Sequence, residues 1–403
     1  MIEAMMDVAI VGGGPSGIAA ALRLKARGVP RVTILEREEI LGGVPRHCAH
    51  PPFGMREFGR VLSGPAYARR LAEAARAAGV EILPRHGVVA LKPDGRLEVA
   101  LPDGRREIQA RRVLLATGAR EMSRAARLVG GARPIGVLNT GALQAYVNMQ
   151  GLVPFRRPVV VGTELVALSA LSTCRHHGIR PVAMVEENAR PTARWPLSLY
   201  PKLARVPLHL NTTIERIDGM PRVERVVLST GQSLACDGVL FTGRFLPEAS
   251  LVQSSHLSFD PGTRGPVVDQ YGRCSDTAYF AAGNVLRPVE TAGWSFREGV
   301  TIGDYIADDL SGGLPSLEGS LDVSAGENVK FVMPQRLAHV APLRGRLQLR
   351  VAASVQGQLR VRAGEAVLYR RRVDALPERR ILINLDGVKT PPDDARLVVE
   401  IIK

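Results

Sequence analysis

The feature that most constrains the fold of this chain is a glycine-rich turn near its amino terminus, Gly12-x-Gly14-x-x-Gly17. An apolar run of strand length, residues 8–11, precedes the turn, and a stretch rich in alanine and leucine follows it. A second apolar run then ends at Glu36. This order of strand, turn, helix, strand and acid is typical of a dinucleotide-binding βαβ unit, whose glycines let the backbone turn tightly and approach a pyrophosphate. The helix N-terminus offers N–H groups to the phosphates, and Glu36 can accept hydrogen bonds from a ribose.

A second unit of the same kind recurs 150 residues further along the chain. Gly162 takes the place of Gly12, and the interval from Gly162 to Glu186 equals the interval from Gly12 to Glu36. An internal repeat of this length predicts two dinucleotide-binding folds in one chain.

The repeat differs from the first unit at the second and third glycines of the turn, and alanine is tolerated at the third. Glu164 replaces Gly14, and Ala167 replaces Gly17. A glutamate at the second glycine position fills the space of a pyrophosphate, and its charge repels the phosphates. Two like charges about 4 Å apart at an effective dielectric of about 20 repel each other by about 4 kcal/mol, which is about three orders of magnitude in affinity. We therefore predict that the second half keeps its fold and does not bind NAD(P)H. The alternative is that Glu164 turns outward and a nicotinamide nucleotide binds.

Further elements are predicted between and after the two units. A helix is expected around residues 67–78, and turn signals separate short strands at residues 81–83, 88–91, 97–100 and 107–109. Another strand ends in Ala116-Thr117-Gly118. A later strand ends in Gly283-Asn284 and leads into a helix over residues 295–310.

Taken together, these segments resemble the FAD-binding signature of the pyridine nucleotide–disulfide oxidoreductase superfamily over roughly residues 5–315. The resemblance implies an α/β fold with two Rossmann-like, three-layer ββα dinucleotide-binding domains. It also implies an extended FAD, with its adenosine end at Glu36 and its ribityl and pyrophosphate end at Gly283-Asn284. The family usually has aspartate where this chain has Asn284, and asparagine can still bind a ribityl hydroxyl. The predicted FAD-binding residues are Gly12, Gly14, Pro15, Ser16, Gly17, Glu36, Arg37, Gly43, Val88, Ala116, Thr117, Gly118, Gly283 and Asn284.

Two stretches, residues 42–54 and 133–144, resemble the FAD subunits of heteromeric dehydrogenases. These include the opine oxidase, hydrogen cyanide synthase and D-amino-acid or proline dehydrogenase types, and the flavoprotein associated with some glycerol-3-phosphate dehydrogenases. The resemblance implies a partner, either a second flavoprotein or an electron-transfer subunit, and a small-molecule substrate.

Cys48, with the adjacent His47, is the candidate for redox chemistry. The resemblance places it in the region where family members hold a redox-active cysteine, and Arg46 and His50 are expected to favour its thiolate. A dithiol mechanism needs a second cysteine a few residues away, and none is present. Cys48 therefore either cycles alone through a sulfenate or only packs near the flavin. The four cysteines are far apart, so no metal site is predicted.

The predicted domains are an FAD-binding domain of residues 1–121 and 245–312, a degenerate NAD(P)-binding-like domain of residues 122–244, and a C-terminal domain. Residues 311–319 are rich in glycine and serine, a composition typical of a linker. Beyond them apolar residues alternate with polar ones, which predicts a small antiparallel β-domain at residues 320–403.

The formal charge of +14 is carried mainly by scattered arginines without a basic stripe, so we expect no nucleic-acid partner. An acidic protein or an anionic lipid surface remains open as a partner for a basic face. No apolar run reaches the about 18 residues of a membrane span. The chain enters a strand within a few residues of its start, and a cytoplasmic protein without a signal peptide is expected.

The sequence thus predicts an FAD-dependent oxidoreductase, a subunit that moves electrons from a small amine, amino acid or hydroxy acid to a partner or a quinone. Two alternatives stay open. One is an NAD(P)H-dependent reductase of the disulfide reductase type that uses Cys48, and the other is a non-catalytic flavoprotein scaffold.

Overall fold

The computed structural model describes residues 5–338, 345–377, 379–389, 391 and 395–403. The helices are α1 Pro15–Ala26, α2 Gly64–Ala77, α3 Thr140–Met149, α4 Leu165–His176, α5 Tyr200–Leu203, α6 Ser250–Gln253 and α7 Ala292–Leu310. The strands are β1 Met6–Val11, β2 Val32–Glu36, β3 Glu81–Pro84, β4 Gly87–Lys92, β5 Arg96–Leu101, β6 Gly104–Leu115, β7 Ala119–Glu121, β8 Gly130–Gly131, β9 Val137–Asn139, β10 Pro158–Val161, β11 Ala183–Val185, β12 Leu208–His209, β13 Ile214–Asp218, β14 Arg225–Leu228, β15 Ser233–Ala235, β16 Gly238–Phe241, β17 Phe245–Pro247, β18 Phe259–Asp260, β19 Gly265–Pro266, β20 Tyr279–Ala281, β21 Leu321–Ala325, β22 Phe331–Met333, β23 Arg336–Leu337, β24 Arg346–Arg350, β25 Val355–Ala363, β26 Ala366–Ala375, β27 Ile381–Asn384 and β28 Leu397–Ile402.

Contacts within the chain define two compact units. The first comprises Met1–Gly43, Arg69–Ala119 and Pro247–Lys403, and the second comprises Val44–Ala68 and Arg120–Leu246. The first unit therefore includes the C-terminal strands, and the second unit includes residues 44–68. The three-domain division stays a prediction.

The first unit is built on a parallel sheet of order β3-β2-β1-β6, with β20 beside β6. The strands β4, β5 and β6 continue it as an antiparallel meander. The short strand predicted at residues 107–109 is part of the long strand β6. Because β1, β2, β6 and β20 are parallel, their carboxyl ends meet at one edge of the sheet.

The second unit repeats this plan. Its parallel sheet has the order β12-β11-β10-β16-β9, and α4 has the same length as α1, 12 residues. A smaller sheet of order β15-β14-β13-β8 accompanies it. Two Rossmann-like parts were predicted from the internal repeat, and both are confirmed.

The C-terminal strands form two sheets of order β23-β21-β28-β25-β26 and β22-β24-β27 around their own apolar core. Alternation of apolar and polar residues predicted an antiparallel β-domain, and all described pairings but one are antiparallel. The exception is the parallel pair β21–β28. In the described part of the chain, no helix is both long and apolar enough to cross a membrane.

A buried carboxylate joins the C-terminal strands to the loop that follows β20. Glu290 accepts hydrogen bonds from Gln348 Nε2 at 3.0 Å, from Arg350 at 3.3 Å and from Arg380 at 3.3 Å. The side chains of Glu290 and Arg350 are each only 6% exposed. Burying two charges is costly unless they are paired, so each depends on the other.

We predict that Glu290→Gln lowers the free energy of unfolding by about 3 kcal/mol, because the buried Arg350 loses its counter-charge. Denaturant titration followed by circular dichroism measures the loss. The control is Glu98→Gln, which breaks the exposed pair with Arg105 and should cost less than about 1 kcal/mol. Equal losses in the two variants would contradict the prediction.

Candidate functional site

The first glycine turn is held by backbone contacts that exclude side chains. Gly12 has a φ of +108°, and a Cβ there would lie 2.6 Å from the carbonyl oxygen of Ala116. A Cβ at Gly17 would lie 2.1 Å from the carbonyl oxygen of Gly12. These two glycines are therefore required by the fold, because they let β1, α1 and the end of β6 pack closely.

Gly14 is different, because nothing in the fold requires a glycine there. Its φ of −80° and ψ of −177° suit any residue, and no atom lies within 4 Å of the place where its Cβ would be. Gly14 precedes α1, whose first turn has no side-chain cap. Free N–H groups beside open space at a helix N-terminus suit a pyrophosphate, so the residues present fit the phosphates of FAD.

Glu36 lies at the carboxyl end of β2 and is buried. Its Oε2 accepts the Gly13 N–H at 2.8 Å, and its Oε1 accepts the Glu38 N–H at 2.9 Å. Each oxygen keeps a further lone pair, so the carboxylate can still accept a ribose hydroxyl.

The other predicted FAD-binding segments of the first unit lie at the ends of neighbouring strands. Ala116-Thr117-Gly118 follows β6, and the Thr117 hydroxyl donates to the Glu248 carbonyl oxygen at 2.7 Å. Gly283, after β20, has a φ of +80°, and a Cβ there would lie 2.5 Å from Ser16 Oγ. The two segments therefore meet at the edge of the sheet that carries the first turn.

Asn284 has a structural role that the sequence did not indicate. Its Nδ2 donates to the Glu290 carbonyl oxygen at 3.1 Å, and its Oδ1 accepts the Glu290 N–H at 2.7 Å. This paired contact needs one donor and one acceptor, which an aspartate would not supply. One N–H and one lone pair remain for the expected ribityl hydroxyl.

The remaining predicted residues of the first unit lie around this edge. Gly43 rests against the turn, because a Cβ there would lie 3.0 Å from Gly14 Cα. Val88 is half-buried in β4, and Arg37 is exposed after β2. Pro15 is the first residue of α1.

Glu164 takes the backbone position of Gly14 in the second unit, with a φ of −73° and a ψ of 175°. Its side chain folds inward over the turn, since a Cβ at Gly162 would lie 2.6 Å from Glu164 Oε2 and a Cβ at Gly243 would lie 2.6 Å from Oε1. Burial raises the pKa of this carboxyl. The side chain therefore lies over the turn where a Rossmann fold would receive a pyrophosphate, and burial disfavours its charged form.

Arg127, which the sequence did not single out, occupies the same edge of the second sheet. Its guanidinium donates to the carbonyl oxygens of Thr242 and Gly243, both at 2.8 Å, just beyond β16. It also lies over the ring of Phe241, 5.1 Å from the centroid. The edge of the second sheet thus carries the side chains of both Arg127 and Glu164.

Cys48 does not have the environment of a reactive thiol. Its Sγ is buried and donates to Gln144 Oε1 at 3.3 Å. Burial raises the pKa of the thiol to about 12, with a smaller contribution from Glu121. The expectation that Arg46 and His50 lower this pKa was wrong, because loss of solvation dominates and the neighbouring Glu121 carboxyl raises the pKa further.

His47 and Glu121 complete the surroundings of Cys48. Burial, with the charge of Arg46, lowers the pKa of His47 to about 4, so the imidazole is neutral at pH 7. Glu121 accepts the Gly141 N–H at 2.7 Å at the N-terminus of α3, and burial raises the pKa of its carboxyl to about 7. Glu121 was missed because no local motif marks it. Among the residues whose positions are described, no cluster could hold a metal ion.

Comparison with known proteins agrees with this geometry. The model of the family described as "Pyridine nucleotide-disulphide oxidoreductase" matches residues 6–299. The chain is 27% identical over 303 residues to the benzene 1,2-dioxygenase system ferredoxin–NAD(+) reductase subunit of Pseudomonas putida, a match that covers 71% of this chain and 68% of that protein. It is 28% identical over 187 residues to an opine oxidase subunit of Rhizobium meliloti (strain 1021), covering 46% of this chain and 39% of that protein.

Among solved structures, the fold is similar to that of L-proline dehydrogenase from P. horikoshii, with a TM-score of 0.59 and 23% identity over 77% of this chain and 57% of the other. The chain thus spans less than two thirds of this dehydrogenase and of the opine oxidase protein.

We predict that Gly14→Glu abolishes FAD retention while the protein still folds. The substitution places in the first turn the residue that stands in the second. Because Gly14 borders open space, the new carboxylate is expected to keep its charge and to repel the pyrophosphate by about 4 kcal/mol, or about three orders of magnitude in affinity. The ratio of flavin to protein absorbance measures it, with Gly14→Ala as a control for the backbone. A yellow Gly14→Glu protein with full flavin content would contradict the assignment.

We also predict that iodoacetamide alkylates Cys48 about a thousandfold more slowly at pH 7.5 in the native protein than in urea, because its thiolate is scarce. Peptide mass spectrometry follows the reaction. Cys174, another buried thiol whose pKa is raised to about 12, is the internal control. Selective, fast labelling of Cys48 at neutral pH would restore it as a redox candidate.

Proposed function

This chain belongs to the pyridine nucleotide-disulphide oxidoreductase family, and we propose that it is an FAD-dependent dehydrogenase subunit that does not use NAD(P)H. It takes electrons from a small amine, amino acid or hydroxy acid and passes them to a partner protein or a quinone.

The contrast between the two glycine turns carries this proposal. Gly14 and Glu164 have nearly the same backbone dihedral angles, so the fold accepts either residue at this position. Open space lies at Gly14, whereas the Glu164 carboxyl fills the second turn and Arg127 lies at the end of β16. This contrast supports a dinucleotide in the first unit and its loss from the second.

The residues of the first unit would hold FAD in defined ways. The N-terminus of α1 binds the pyrophosphate, Glu36 accepts the adenosine ribose, and Asn284 meets the ribityl chain. When bound, the flavin supplies the group that accepts a hydride equivalent from the substrate. Gly43 packs against Gly14 on one side of the turn.

The substrate class and the partner rest on resemblance. One relative is named as part of an opine oxidase, and a structural neighbour is an L-proline dehydrogenase. Both names describe oxidation of an amine that carries a carboxylate. Cys48 is neutral and buried, so the proposal gives it no redox role. Glu121, which acts on the Cys48 thiol, is the group in this region of the second unit that can exchange a proton near pH 7.

A second candidate is an NAD(P)H-dependent reductase. The ferredoxin–NAD(+) reductase subunit from Pseudomonas putida favours it, because the match extends over most of both proteins. The inward side chain of Glu164 weighs against it.

Anaerobic titration of the purified yellow protein with NADH and NADPH separates the two functions. We expect the flavin absorbance to stay unchanged with either nucleotide and to bleach with dithionite. Glu164→Gly serves as the matched variant, and a nucleotide response in that variant alone would identify Glu164 as the obstruction. Stoichiometric bleaching of the unaltered protein at micromolar nucleotide would overturn the proposal in favour of the reductase.

A further inference from the structure

A short segment of the second unit exposes four large apolar side chains to solvent. Trp195 is 79% exposed, Leu197 52%, Leu199 45% and Leu203 76%. They lie on the 3-10 turn Leu197–Leu199, on the residues just before it, and on α5. We call these four side chains the apolar ridge. So many exposed large apolar residues in nine positions mark an interaction site.

The backbone beneath the ridge is ordered and anchored. The Ser198 N–H donates to the Arg194 carbonyl oxygen at 3.0 Å, and the Ala204 N–H donates to that of Tyr200 at 2.8 Å. Pro201 and Val206 are buried on the inner side. Buried residues therefore hold the segment on the second unit while the four ridge residues stay exposed.

Cations flank the ridge along the sequence and no anions do. Arg190, Arg194, Lys202 and Arg205 are all exposed, and residues 188–214 contain no Asp or Glu. Two of these cations are direct neighbours of the most exposed apolar residues, in the pairs Arg194-Trp195 and Lys202-Leu203. Exposed apolar and basic residues therefore adjoin in sequence along this segment.

We propose that the apolar ridge docks this protein on an anionic lipid surface. Trp195 and the three leucines would enter the headgroup region, and the four cations would contact lipid phosphates at the same depth. Aromatic and leucine side chains flanked by cations, with no acidic residue between positions 188 and 214, match the composition of segments that enter an anionic headgroup layer. The proposal does not depend on the flavin chemistry and concerns where the protein works.

Co-sedimentation of the full chain with vesicles tests the proposal. We expect binding to mixed phosphatidylcholine and phosphatidylglycerol vesicles, weakened by salt, and little binding to phosphatidylcholine alone. The double variants Trp195→Ser/Leu203→Ser and Arg194→Gln/Lys202→Gln should each weaken binding by about tenfold or more. The matched controls are Leu128→Ser, an apolar residue that is 90% exposed, and Arg69→Gln/Arg76→Gln, two exposed arginines of α2. These should bind like the unaltered protein.

Fluorescence gives a second readout, because Trp195 is one of only two tryptophans. Lipids with brominated acyl chains should quench emission from the unaltered protein and not from Trp195→Phe. The lipid proposal is overturned if anionic vesicles do not bind, or if ridge and control variants bind equally. It is also overturned if the ridge variants change only the self-association of the protein.

Discussion

Close backbone contact around the first glycine turn is the constraint on which the first unit depends. A Cβ at Gly17 would lie 2.1 Å from the Gly12 carbonyl oxygen, and one at Gly299 would lie 2.1 Å from that of Ser16. The helix α1 can therefore pack directly on the end of β1 and on α7. This packing brings the ends of β1, β6 and β20 to one edge, and it shapes the open space at Gly14 before any ligand is present.

Periodicity and spacing were enough to predict the two Rossmann-like parts, the C-terminal strands and the place of Glu36, because each follows from local sequence order. Asn284, Arg127 and Glu121 could not be assigned their contacts in this way. Asn284 pairs with the backbone of Glu290, and Arg127 meets Gly243, 116 positions away. Such partners are brought together only by the folded chain. The pKa of Cys48 could not be predicted from the sequence either. Its neighbours in sequence suggested a lowered pKa, whereas burial in the folded chain raises it.

Desolvation decides the behaviour of the ionisable groups in both units. In the first, Glu290 stays paired with arginines of the C-terminal strands, and this network ties those strands to the loop that Asn284 closes. In the second, Cys48, Glu121 and Glu164 have raised pKa values mainly because of burial. Burial therefore disfavours the charged forms of these three groups, and the carboxyl of Glu121 serves as a hydrogen-bond acceptor for the start of α3.

Gly14 and Glu164 share one backbone conformation, whereas Gly12 and Gly162 both need a positive φ. The demands of folding and those of ligand binding thus rest on different glycines of the same short motif. After a gene segment is duplicated, a single base change from a glycine to a glutamate codon can place a side chain on the ligand side of one turn and leave its scaffold intact. A family built on this turn can therefore vary the ligand side of its units while every intermediate still folds.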